Sequence, residues 1–130
     1  MTAPYTRSGR AKPASGRELA IWYLMRVTGA ALFVFALTHF LIVHVLYDPA
    51  EQTASWIAEV RWSSTFWRAF DWSLLMLVLF HAFMGVRTVV VDYVRGGWRL
   101  LILSALYLLA GILFVLGTVV VLTLPVVPKG

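Results

Sequence analysis

The sequence predicts an all-α membrane protein with three transmembrane helices, and three observations predict it. Hydrophobic residues make up 61% of the 130-residue chain. Only 13% are charged, about half the share usual in a soluble domain. The charges are clustered, which leaves three apolar runs of membrane-crossing length. A soluble globule of this size could not cover so much apolar surface, because small domains leave much of theirs exposed. In lipid the backbone must satisfy its own hydrogen bonds, and the runs are too long and too uniform for strands. The chain has no cysteine, which excludes disulfides, thiolate-ligated clusters and cysteine nucleophiles within it.

Each element follows in order. Residues 1–18 are rich in Ser, Thr, Gly, Pro and Arg, lack an apolar face, and read as a flexible basic tail. The apolar run behind them is too long for a signal peptide and has no small-residue cleavage site. Residues 19–124 form one membrane domain. Its first span, about 19–46, is interrupted only by Arg26, His39 and His44. A crossing needs roughly 20 apolar residues, so this span has length to spare for tilting. The connection that follows carries Asp48, Glu51, Glu59, Arg61 and Arg68, with Trp56, Trp62 and Trp67 suited to the headgroup layer. Asp48-Pro49 marks a stop and restart, and a short interfacial helix is expected from Ala50 to Arg61. The second span, about 70–93, carries His81 near its middle. Arg95-Gly96-Gly97-Trp98-Arg99 is a tight turn into the third span, about 100–124. Residues 125–130 are a short C-terminal tail.

Lysine and arginine placement sets the orientation. Arg7, Arg10, Lys12, Arg17, Arg26, Arg87, Arg95 and Arg99 fall on one side, and Arg61, Arg68 and Lys129 on the other. The excess predicts a cytoplasmic N-terminus in a plasma (inner) membrane protein. The net charge of +5 therefore reflects topology and not a nucleic-acid footprint.

Ionisable groups within a span are costly, so each needs a reason. At about 100° per residue, Gly85, Thr88 and Asp92 lie within about 40° of His81 on one helical stripe. Glycine one turn from histidine lets something flat approach the backbone. A neutral imidazole with a free nitrogen is a good iron ligand, and the combination suits a haem edge. A histidine bonded to a neighbouring helix, with glycine there for close packing, fits the same spacing. On the first span Thr28, Leu32, Phe35 and His39 share a stripe within about 60°, a bulkier face that suits plain helix packing equally well. His44 lies about 140° from His39, so the two are not expected to serve one iron. Arg26, Arg87, Asp92 and Tyr93 share one membrane depth. Arginines there enforce orientation by snorkelling, but together with a carboxylate and a phenol they also suit the polar head of a quinone. Arg87 alternatively suits haem propionates.

The stretch His81-Ala-Phe-Met-Gly85-Val-Arg87-Thr-Val-Val-Val-Asp92-Tyr93 resembles the second-span motif of succinate dehydrogenase membrane-anchor subunits. The Asp-Tyr pair is typical of the D-type anchor. Phe66-Trp67-Arg68-Ala69-Phe70-Asp71-Trp72 and Tyr23-Leu-Met-Arg26-Val-Thr28-Gly29 also resemble bacterial, especially actinobacterial-type, D-type anchors. Arg26-Val27-Thr28-Gly29 is at the same time similar to the Arg-x-Ser-Gly signature of C-type anchors, whose arginine lies at the quinone site. The likeness covers roughly residues 18–124.

The resemblance implies a non-catalytic subunit of a succinate:quinone oxidoreductase. It would hold the flavoprotein and iron–sulfur subunits at the membrane beside a homologous C-type anchor, in one helical bundle. It implies haem b, one or two, shared with the C-type anchor, with His81 as an axial ligand and His39 serving a second haem farther from the cytoplasm. Tyr93 and Asp92 match the quinone-site pair. Fumarate reductase is the same assembly run backwards, and another b-type cytochrome subunit or a non-redox scaffold or transporter are the alternatives.

Overall fold

A computed structural model describes residues 16–124. Most of the expected basic tail, with Arg7, Arg10 and Lys12, lies outside the described residues, as does the C-terminal tail with Lys129. The described chain is helical, with three long helices and one short one. Helix α1 is Arg17–Leu41 and runs on through a wide π turn, Ile42–Leu46. The short helix α2 is Ala54–Trp56, continued in the same wide geometry through Arg61. Helix α3 is Thr65–Tyr93 and α4 is Gly97–Thr123.

All three long helices are apolar and long enough to cross a membrane, at 30 residues for α1 with its π turn, 29 for α3 and 27 for α4. At 1.5 Å per residue each is about 40–45 Å long, more than a hydrocarbon core of about 30 Å. Their ends therefore tilt or reach into the headgroup layers, where Trp22, Trp62 and Trp98 fall.

Local chemistry sets the breaks. Asp48 accepts from the Ala50 amide at 2.9 Å, with Pro49 in the first turn, so a single turn restarts at Pro49–Glu51. The expected helix from Ala50 to Arg61 is interrupted. Thr53 caps the Trp56 amide at 3.2 Å, and Gln52 turns back to donate to the Val43 carbonyl, so the helix begins again at Ala54. Ser64 caps α3 by accepting from the Phe66 amide at 3.2 Å, five residues ahead of the span expected from hydropathy. Between α3 and α4 the backbone at Gly96 takes φ 67°, the left-handed region that glycine enters without steric cost.

Helix α3 stands between α1 and α4 and runs antiparallel to both. Lipid supplies no hydrophobic drive between helices, so close approach and polar bonds hold them. A Cβ on Gly117 would lie 2.5 Å from Leu75 Cδ2, so glycine is what lets α4 settle so near α3. Trp72 Nε1 donates to Thr118 Oγ1 at 3.2 Å. Arg68 donates to the Leu124 carbonyl at 3.2 Å, placing a cation at the negative end of the α4 dipole. Among the described residues few apolar side chains are fully buried: Val43, Ala58, Trp62, Val90 and Val121. Many other large apolar side chains are exposed, as a lipid surround permits.

Candidate functional site

The α1 stripe Thr28–Phe35–His39 faces α3. Thr28 meets His81, Phe35 stacks on Phe70 with ring centroids 4.8 Å apart, and His39 meets Asp71. The stripe that sequence left open between packing and cofactor is thus an interhelical seam, with His81 at its Thr28 end and His39 at the other.

His81 is held at the Thr28 end of this seam. Its Nδ1 lies 3.1 Å from Thr28 Oγ1, and Thr28 is buried at 8% exposure. A Cβ on Gly29 would come within 3.2 Å of His81 Cε1, so glycine lets the Cε1–Nδ1 edge of the ring come close to α1. His81 Nε2 makes no hydrogen bond among the described residues. No buried side-chain nitrogen or oxygen there lacks a partner, so Nε2 is not fully enclosed by the helix pair. A bare imidazole nitrogen facing hydrocarbon is costly. The donor therefore suits a metal-bearing ring brought from outside the chain, and the residues present fit haem.

One turn along, Gly85 and Thr88 line a groove of about 490 Å³ with Glu18, Ile21, Trp22, Met25, Arg26 and Val89. A Cβ at Gly85 would make only an ordinary van der Waals contact, 3.7 Å from Met25 Cε. Arg26 lies over the Trp22 ring at 3.4 Å and donates to the Trp22 carbonyl at 3.3 Å. The structure therefore brings Arg26, Gly85 and Thr88 together, with His81 packed against α1 beside them. Arg87 instead pairs with Glu18 at 3.2 Å, clamping the ends of α1 and α3. Asp92 and Tyr93 stand at the same end, exposed, and make no side-chain bond among the described residues; Tyr93 is 83% exposed.

The opposite end holds a cluster that sequence reasoning missed. Asp71 accepts from Arg61 Nε at 2.9 Å, Arg61 Nη2 at 2.6 Å and Trp62 Nε1 at 2.8 Å, with His39 Nδ1 at 3.3 Å. Arg61 also lies 4.4 Å from the Trp67 ring centroid. Together with His44 and Gln52 these groups border a cavity of about 370 Å³. His39 and His44 share this cavity although an ideal helix separates them, because the π turn advances fewer degrees per residue. One signal was present in the sequence: a carboxylate just inside an apolar span demands a partner. Which partner depends on how the loop folds back, and no spacing rule supplies that.

Three long apolar helices with histidines on the α1–α3 seam define a class: a small polytopic membrane protein. Residues 8–124 match the family model of the succinate dehydrogenase/fumarate reductase transmembrane subunit, and the chain belongs to that family. It is accordingly a membrane-anchor subunit that associates with the other subunits of such a complex. No curated protein matches the sequence.

Proposed function

We propose that the chain is the D-type anchor of a succinate dehydrogenase. It holds the flavoprotein and iron–sulfur subunits at the membrane, presents His81 as an axial ligand to haem b shared with the C-type anchor, and forms part of the site where quinone takes up electrons. The observation that carries this reading is the His81 ring, bonded through Nδ1 to Thr28 with Nε2 unpartnered among the described residues and not fully enclosed. Haem supplies reversible one-electron chemistry when bound. The chain's own residues orient the ligand, leave room at Gly85, and put charge at the edge. Arg87 uses one of its five N–H donors on Glu18, which leaves others for a propionate.

The quinone face lies at the end that carries Arg26, Asp92 and Tyr93, which the positive-inside bias makes cytoplasmic. The iron–sulfur partner docks there. Tyr93 Oη donates to one quinone carbonyl, and Asp92 beside it is an acidic group placed to relay the protons that reduction to quinol consumes. Arg26 biases the site toward the anionic forms of the head. For succinate oxidation over fumarate reduction, support comes from the likeness of the second-span motif to succinate dehydrogenase anchors.

A second haem on His39 is favoured by one observation. The Asp71 carboxylate, ion-paired with Arg61, is an acceptor only, so the bond to it puts the proton on His39 Nδ1 and frees Nε2. His81→Ala is expected to lower the haem-to-flavin ratio of the purified complex, read from the reduced-minus-oxidised spectrum. An unchanged ratio removes His81 as a ligand. His39→Ala read the same way counts the second haem.

A further inference from the structure

We propose that Thr28 and Gly29 of α1 are positioning residues for the His81 imidazole: Thr28 fixes its tautomer and Gly29 sets its tilt. The inference rests on His81 being a haem ligand, as proposed above. A threonine hydroxyl carries one proton and two lone pairs. Thr28 Oγ1 lies 2.7 Å from the Leu24 carbonyl oxygen, with the Met25 carbonyl at 3.4 Å on the same side. Two oxygens held 2.7 Å apart without a proton between them repel, and a carbonyl has none to give. The hydroxyl proton is therefore committed to α1's own backbone.

What Oγ1 turns toward His81 is then a lone pair. The 3.1 Å bond needs the proton on His81 Nδ1. A neutral imidazole has a single N–H, so Nε2 is left with its lone pair in the plane of the ring. That is the nitrogen without a partner among the described residues. The hydroxyl thus performs the task often given to a carboxylate or carbonyl beside a ligating histidine: it fixes tautomer and orientation together. It does so without a second charge in the membrane, where a carboxylate would need its own partner.

Gly29 acts on a different coordinate. Its added Cβ would lie 3.2 Å from His81 Cε1 and 3.9 Å from Nδ1. Cε1 joins the two ring nitrogens. A methyl there presses on the atom between the two nitrogens and tilts the Nε2 lone pair off its direction, while the Thr28 bond holds the adjoining Nδ1.

The test uses the intact, purified complex, with assembly measured as flavin per anchor polypeptide. Thr28→Val keeps shape and removes the hydroxyl; Thr28→Ser keeps it. Loss of such an outer partner typically weakens metal binding by about 10–100-fold. Thr28→Val is expected to retain flavin, lose haem on dilution or imidazole challenge, and shift the haem midpoint potential, with Thr28→Ser close to the native complex. Gly29→Ala is expected to change the low-spin electron paramagnetic resonance of the haem, which reports ring orientation. If Thr28→Val does not assemble, Thr28→Ala is read by the same criteria. Native haem retention and potential in the hydroxyl-free variant would overturn the proposal. If His81→Ala also keeps its haem, the ligand assignment falls; if only His81→Ala loses it, the positioning role alone falls.

Discussion

Replacing Asp71 by asparagine removes one charge and almost no volume, so its effect isolates the electrostatics of the Asp71 cluster. Asp71 receives four donors at 2.6, 2.8, 2.9 and 3.3 Å. An exposed ion pair contributes only about 0–1 kcal/mol. This pair is not exposed: side-chain exposure is 6% for Arg61 and 12% for Asp71. Removing one partner of a buried pair leaves an uncompensated charge, at a cost of about 3–5 kcal/mol. Asparagine also offers one acceptor oxygen in place of two and turns an NH2 toward donors, so at least two of the four bonds are lost. The expected loss for Asp71→Asn is therefore about 3–5 kcal/mol, read by SDS titration of the purified complex in mixed micelles. In an Arg61→Met background the same change is expected to cost far less, because no buried cation remains to be stranded. A loss below about 1 kcal/mol in the native background, or an equal loss in both, would refute the reasoning.

Three further outcomes follow from the geometry. Gly117→Ala gains about 1 kcal/mol of helix propensity but sets a methyl 2.5 Å from Leu75 Cδ2, and overpacking costs about 1–3 kcal/mol. A net loss of up to about 2 kcal/mol is expected in the same titration, with Gly117→Val worse. Glu18→Gln breaks one partly exposed pair to Arg87 and is expected to change stability by less than about 1 kcal/mol. Tyr93→Phe is expected to slow quinone reduction about threefold to tenfold, the worth of one neutral hydrogen bond, with succinate oxidation by artificial acceptors intact. Equal loss of both activities would point to an assembly defect.

Three crossings were legible because lipid leaves a chain few options, and runs of that length and composition admit only helices. The Asp48-Pro49 restart was legible from local chemistry alone, a carboxylate cap followed by a proline. The interruption at Gln52–Thr53 was not, since it depends on Gln52 reaching the Val43 carbonyl nine residues back. The helical spacing of His81, Gly85, Thr88 and Asp92 put them on one stripe, but spacing is silent about what the stripe faces. The partner of His81 is Thr28, fifty-three residues away on a neighbouring helix. Thr28 and Gly29 stood in the sequence as part of a motif, without a task. Asp71 likewise stood inside the stretch Phe66–Trp72, and only the folded connection shows that Arg61, Trp62 and His39 converge on it.

A cryo-electron microscopy map of the intact complex tests the central claim most directly, because it shows what lies against the open nitrogen of His81. The account predicts iron density on Nε2, a planar ring beyond the Gly85 notch, and a second anchor polypeptide on the far side of that ring. A map in which Nε2 faces acyl chains, with neither cofactor nor polypeptide beside it, would contradict the account.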